Sequence, residues 1–149
     1  MNRFSSWRSL GLVLAALTVL TFVAPAQAGR RAHFSRGTAN FTGPNDFVGA
    51  GFATHLGHYR EEGHVVFTST DDPTVLHLEA SAIYTAANGD HLYATFTGEL
   101  NGVTGAITAT VTYVGGTGRF TNASGTASLL AQILADGSLE VVVQGTIDF

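Results

Sequence analysis

The sequence predicts an all-β domain, an eight-stranded antiparallel up-and-down barrel that is preceded by a signal peptide helix. Apolar and polar residues alternate with a period of two in eight successive runs, and the helical period of 3.6 residues appears in none of them. Turn-forming residues separate the runs, which makes consecutive strands antiparallel neighbours. A long apolar stretch close to the N terminus ends in a signal-peptidase pattern.

Residues 1–28 are expected to be the signal peptide. A basic start leads into an unbroken apolar stretch from Leu10 to Ala24, and the cleavage pattern is Ala26-Gln27-Ala28. The stretch of about 15 residues is shorter than the roughly 20 that a helix needs to cross a membrane, which disfavours a transmembrane anchor. Residues 29–149 then form the barrel domain, which we expect to be secreted or periplasmic.

The composition excludes several classes of function. The chain contains neither Cys nor Lys, so disulfides, thiolate catalysis and a catalytic Schiff base are all ruled out. Residues 29–149 hold all 11 acidic residues against five Arg, a formal charge of −6. Nucleic acids and anionic membranes attract clustered cations, so we expect neither a nucleic-acid partner nor stable membrane insertion after processing.

The alternation assigns the strands in chain order. The clearest run is the last one, in which Leu139, Val141 and Val143 share one face and Glu140 and Gln144 share the other. The eight predicted strands lie near His33–Phe41, Phe47–Leu56, His64–Thr68, Thr74–Thr85, His91–Leu100, Val103–Val114, Ala127–Leu134 and Leu139–Phe149.

Three dipeptides predict tight hairpin turns between the later strands, because their residues accept positive φ: Asn88-Gly89, Asn101-Gly102 and Asp136-Gly137. Eight strands joined in this way favour closure into a barrel, since closure removes exposed sheet edges. A sandwich is the alternative. Small residues on the predicted inner faces, such as Ala80, Ala94 and Ala109, suit a narrow barrel.

Several segments resemble a known family. The segments TAANGDHLYATFTGEL, VTYVGGTGRFTNASGT and GTIDF, together with ATHLGHYREEGHVVF, resemble exported bacterial proteins with an allene oxide cyclase-like or dirigent-like β-barrel. The resemblance covers roughly residues 47–149 and implies an eight-stranded calycin-like barrel. No catalytic motif of the plant enzymes in this class maps onto the chain, so the resemblance implies no catalytic residue, and the catalytic residues are unknown.

Strand parity predicts the polar lining of a pocket. The polar residues that share the inward, apolar faces are Thr54, Tyr59, Glu61 and Tyr84. A phenol and a carboxyl group among Phe side chains could orient a small apolar ligand, so these four are the candidate ligand-binding residues. The alternative is a filled core without a pocket.

The histidines give weak evidence for a metal. His55 and His58 are three residues apart, which places them on opposite faces of a strand, and His64 follows six residues later. We therefore expect His55 to be a structural hydrogen-bonding residue, and we expect no metal site and no cofactor.

Three functions are compatible with this pattern. The leading hypothesis is a secreted barrel that binds a small apolar molecule. The second is an isomerase or cyclase that acts on such a ligand, with Glu61 or a Tyr as the polarising group. The third, an outer-membrane barrel, is disfavoured because Glu79, Glu99 and several Thr lie opposite the apolar faces. The oligomeric state and the identity of the ligand do not follow from the sequence.

Overall fold

The computed structural model describes residues 29–149, and all of its long elements are strands. The signal peptide predicted over residues 1–28 lies outside the described residues. The eight strands are β1 (Arg31–Phe41), β2 (Asp46–Ala53), β3 (Gly57–Ser69), β4 (Val75–Thr85), β5 (His91–Asn101), β6 (Ala106–Gly116), β7 (Ser124–Ile133) and β8 (Leu139–Asp148).

The strands form a closed antiparallel barrel in chain order. Each strand pairs with the next one, and β1 pairs with β8 to complete the circle, with Ser35 opposite Val143. The predicted up-and-down barrel is confirmed, and the sandwich alternative is excluded.

Alternation along each strand separates the core from the surface. On β7, Ala127, Leu129 and Ala131 are buried, while the intervening Ser128 and Leu130 are exposed. A period of two is the period of a pleated strand, so every second side chain points into the barrel. This parity decides which polar groups reach the interior.

The two ends of the barrel differ. We call them the cavity end and the plugged end. The loops at the cavity end comprise residues 42–45, 70–74, 102–105 and 134–138. The connections at the plugged end comprise residues 54–56, 86–90 and 117–123, and β1 begins and β8 ends there.

A short 3-10 helix, Gly118–Phe120, closes the plugged end. It inserts Phe120, which is completely buried and makes an edge-to-face contact with Phe149 at 5.0 Å between ring centroids. The neighbouring Arg119 lies 3.7 Å from the carboxylate of Asp90, as expected of a loop tethered to an acid. Within residues 29–149, no helix has the length and apolarity needed to span a membrane.

The boundary between β2 and β3 differs from the prediction. The sequence predicts a strand through Leu56, but β2 ends at Ala53 because the chain reverses at His55 and Gly57, which have φ of 72° and 71°. Positive φ breaks strand geometry. β3 then begins at Gly57, well before the predicted start at His64. Exposed and buried residues already alternate in this earlier part of the strand, as they do in a half-buried strand.

The turn predicted at Asn101-Gly102 also differs. The positive φ in this loop lies at Gly105, and the Asn101 side-chain oxygen accepts hydrogen bonds from the amides of Val103 and Thr104. Asn side chains stabilise turns in this way without a positive φ. Val103, the first residue of the predicted strand Val103–Val114, lies in this loop and is 76% exposed, because β6 begins only at Ala106.

Candidate ligand-binding cavity

A cavity of about 80 Å³ occupies the half of the barrel nearest the cavity end. All eight strands contribute to its walls, and the lining is apolar except at the floor. Phe41 is 39% exposed, which places it at the entrance. The residues that line the cavity are Ala39, Phe41, Phe47, Glu61, Val65, Phe67, Leu78, Ala80, Tyr84, Phe96, Ile107, Ala109, Leu129, Ala131, Leu139 and Val141.

Glu61 and Tyr84 supply the polar groups of this cavity. They are direct register partners on β3 and β4, and both side chains point inward, since each residue is only 8% exposed. Hydrogen bonding between the Tyr84 hydroxyl and the Glu61 carboxyl group contributes to the pKa values of both groups. The pair therefore joins a carboxyl group and a phenol in otherwise apolar surroundings.

Burial changes the acid–base behaviour of both groups. Removal from water disfavours the charged carboxylate and raises the pKa of Glu61 to about 7, although the hydrogen bond from Tyr84 opposes the shift. Burial and the nearby Glu61 charge raise the pKa of Tyr84 well above its ordinary value. Near neutral pH Glu61 is thus able to gain or lose a proton, while Tyr84 stays a neutral donor.

Two glycines of β2 make room for the polar side chains of β3. Gly49 lies opposite Glu61, and a Cβ at position 49 would come within 2.6 Å of Glu61 Oε1. Gly51 lies opposite Tyr59, and a Cβ at position 51 would come within 2.7 Å of the Tyr59 hydroxyl oxygen. The absence of side chains at these two inward positions is what lets the longer side chains fold across the barrel.

Tyr59 lies between the cavity and the plugged end. The hydroxyl of Ser35 donates a hydrogen bond to the Tyr59 oxygen over 3.0 Å, and the Tyr59 ring packs edge-to-face on Tyr84, with 5.3 Å between centroids. Burial, partly offset by the hydrogen bond from Ser35, raises the pKa of Tyr59 to about 12. Tyr59 therefore packs against Tyr84 on the side that faces the plugged end. It borders a second void of about 10 Å³ and not the main cavity.

Thr54 is placed apart from the other three predicted residues. It lies in the turn after β2, at the plugged end, and its hydroxyl accepts a hydrogen bond from the Phe34 amide over 2.9 Å. It lines neither of the two internal voids. The structure therefore brings Glu61, Tyr84 and Tyr59 together and leaves Thr54 in a backbone-capping position.

His33 is a buried titratable group that the sequence analysis did not single out. It is 4% exposed, contacts Tyr113 edge-to-face at 5.2 Å between centroids, and its Nδ1 has no hydrogen-bond partner within the described chain. Burial, and secondarily the nearby His55, lowers the pKa of His33 to about 4. His33 is therefore neutral at physiological pH and belongs to the packing of the plugged end.

The other histidines take surface or structural positions. His55 Nε2 lies 3.0 Å from the Ala32 carbonyl oxygen, consistent with the structural role predicted for it, and His64 pairs with Asp46 over 2.9 Å. Within the part of the chain that the structure describes, no three His, Asp or Glu residues converge in a way that could hold a metal ion.

The glycine positions and the Phe rings at the entrance were not predicted as parts of the site. Gly49 and Gly51 are two residues apart, so they share the inward face, and they lie opposite Glu61 and Tyr59. The spacing of two residues was a usable signal for a site, because an inward Gly leaves space for the side chain of an inward polar residue that lies opposite. The register that brings the pairs together was not visible in the sequence.

Comparison with known proteins gives little beyond this geometry. No protein-family model matches the chain, and no curated protein matches it. Among solved structures, the chain is similar to a nonspecific heme-binding cyclase that catalyses a 4 + 2 cycloaddition during neoabyssomicin biosynthesis, with 13% sequence identity and a TM-score of 0.45. The match covers 84% of this chain and 69% of that chain. At this degree of similarity, inferences about function have to come from the cavity itself.

Proposed function

We propose that this protein binds a small, mostly apolar molecule inside its barrel, with Glu61 and Tyr84 orienting the polar atom of the ligand. One observation carries the proposal: an apolar cavity ends on a buried carboxyl–phenol pair that faces it from adjacent strands. Ligand sites are typically apolar hollows with a few converging polar groups, whereas a core that serves only stability is filled.

The size of the cavity limits the ligand. A volume of about 80 Å³ suits a short hydrocarbon chain or part of a ring, with the remainder of the ligand lying among the Phe rings of the entrance. Removing roughly 200 Å² of apolar surface from water contributes about 5 kcal/mol to the binding free energy, and the entropic costs of association offset part of that gain. We therefore expect dissociation constants between millimolar and micromolar for simple probes.

A titration with 1-hexanol, followed by the NMR shifts of backbone amides, tests the proposal. We expect saturable shifts at cavity residues. Ala109→Leu adds a side chain to the cavity wall and should weaken binding at least tenfold, whereas Thr110→Leu, an exposed neighbour on the same strand, should change it less than twofold. Absence of saturable shifts, or equal effects of the two substitutions, would contradict the proposal.

The same pair supports a second function, that of an isomerase or cyclase. A carboxyl group with a pKa of about 7 is suited to general acid–base catalysis near neutral pH, and it lies where a ligand would be held. Glu61 would then take a proton from the ligand and return it at another atom, with no net change in composition. Turnover that is unchanged in Glu61→Gln would remove this assignment.

We also propose that the barrel domain acts outside the cytoplasm, in the periplasm or the medium. The support is the signal-peptide pattern of residues 1–28. Intact-mass measurement of the protein recovered from periplasmic and culture fractions tests this. A mature chain that begins at Gly29 is the expected result, and recovery of the full-length chain from the cytoplasm alone would contradict it.

A further inference from the structure

Among residues 29–149, the buried carboxyl group of Glu61 has no cationic partner. The lining residues of the cavity include neither Arg nor His, and the chain contains no Lys. Buried carboxyl groups in proteins are usually paired with a cation or a metal, because an unpaired charge in apolar surroundings is costly. Tyr84, the register partner of Glu61, is a phenol and brings no positive charge.

The charged residues in the loops of the cavity end are all acidic. The loops of the cavity end carry Asp71, Asp72 and Asp136, and these loops contain no Arg or His. Hydrogen bonds from Thr74 to Asp72, and from Ser138 to Asp136, lower the pKa values of these two carboxyl groups, so both are ionised at neutral pH.

The described Arg residues lie in the other half of the barrel. Three of these five residues lie just before or within the first half of β1, one lies in the plugged-end half of β3, and one lies in the 3-10 helix. Two of the four loops at the entrance are therefore negatively charged and none is positively charged, which attracts cations and repels anions. The Arg residues in question are Arg30, Arg31, Arg36, Arg60 and Arg119.

We infer that the ligand of this cavity is a hydrophobic amine, a hydrocarbon or aromatic group with one protonated nitrogen that pairs with the carboxylate of Glu61. This inference rests on the proposed binding function. The ammonium group supplies the missing counter-charge, donates hydrogen bonds to the carboxylate and leaves the hydrocarbon part against the Phe rings. A ligand with a carboxylate would instead be repelled by Glu61 and by the Asp residues of the entrance.

The groups that face Glu61 do not change their charge near neutral pH, so Glu61 itself is the group that titrates there. β4 presents Tyr84, β3 itself presents Tyr59, and β2 presents Gly49, which has no side chain. Both phenols have raised pKa values and remain neutral. Because an ammonium ion selects the ionised form of Glu61, amine affinity should rise as the pH rises through 7.

Calorimetric titration of the wild-type protein with n-hexylamine, 1-hexanol and hexanoate at pH 8 tests the inference. A primary amine is protonated at this pH. We expect hexylamine to bind at least tenfold more tightly than hexanol, and hexanoate more weakly than either. At pH 6 the affinity for hexylamine should be about tenfold lower than at pH 8, while that for hexanol should change little.

Two matched variants separate the cavity carboxyl group from general surface charge. Glu61→Gln should abolish the preference for the amine, and its retained binding of hexanol shows that the barrel is folded. Glu62→Gln removes the same charge from the adjacent, exposed position on β3 and should keep the preference. Equal affinities of the wild type for hexylamine and hexanol would overturn the amine inference alone, whereas binding of no probe would also overturn the proposed function.

Discussion

Glu61 on β3 lies directly across the sheet from Gly49 on β2, and its carboxyl oxygen occupies the space that a side chain at position 49 would fill. The strand that carries the polar group and the strand that makes room for it are thus neighbours in sequence and in space. Replacement of either residue should affect both stability and the cavity.

Gly49→Ala should destabilise the protein by about 1–3 kcal/mol and weaken binding of hexanol, because the new methyl group would displace the Glu61 carboxyl group and contact the Thr38 carbonyl oxygen at 2.9 Å. Urea denaturation and the NMR titration measure the two effects. Gly43→Ala is the matched control, since its nearest contact would be 3.7 Å away, and it should change stability by less than about 0.5 kcal/mol. Equal effects of the two substitutions would show that the space at Gly49 is not required.

Glu61 should make the protein less stable as the pH rises. Its pKa is about 7 in the folded state against 4.5 for an ordinary Glu, so the folded state binds the proton more tightly. The stabilising contribution is complete below pH 4.5 and is lost between pH 4.5 and 7, a change of about 3 kcal/mol. In urea denaturation, the wild type should lose this amount of stability relative to Glu61→Gln across that range, and a difference between the two proteins that stays constant with pH would contradict the assignment to Glu61.

His33 should act in the opposite direction. Its pKa is about 4 in the folded state against 6.5 for an ordinary His, so the unfolded chain binds the proton more tightly. Stability is therefore lost as the pH falls from 6.5 to about 4, by about 3 kcal/mol. His33→Leu should remove this loss. Because the contributions of His33 and Glu61 oppose each other, the wild type should vary less with pH in this range than either variant. A His33→Leu profile parallel to that of the wild type would refute the assignment.

Phe120→Ala should cost about 3–5 kcal/mol, because it opens a hole where a completely buried ring contacts Phe149. Phe52→Ala, on the outer surface with 54% exposure, is the control and should cost less than about 1 kcal/mol. If Phe120→Ala remains folded, it should still bind hexanol, because Phe120 lies at the end of the barrel away from the cavity. Loss of binding in the folded variant would show that the two halves depend on each other.

Much of the fold was predictable from local pattern. Period-two alternation identified all eight strands, and parity correctly turned Glu61, Tyr84 and Tyr59 inward. Parity failed at Thr54, because the inward face of β2 is the one that carries Gly49, Gly51 and Ala53, so Thr54 follows the outward parity of the exposed Phe52. Two glycines on the inward face of β2 hide it, since the larger apolar residue lies on the other face.

The shape of the site was less predictable. A cavity depends on which inward residues are opposite one another, and that register depends on the lengths of the turns as well as on the pattern along each strand. The pairs of Gly49 with Glu61 and of Gly51 with Tyr59 emerge only when β2 and β3 are aligned. That the charged residues in the loops of the cavity end are all acidic likewise emerges only when it is known which loops share an end.

The guanidinium of Arg31 lies over the ring of Phe149, 4.4 Å from its centroid, so the first residue of β1 and the last residue of the chain meet at the plugged end. A bead, an electrode or a fused neighbour attached just before β1 or after Phe149 would hold the barrel by its plugged end. The cavity end would then face away from the attachment in both cases.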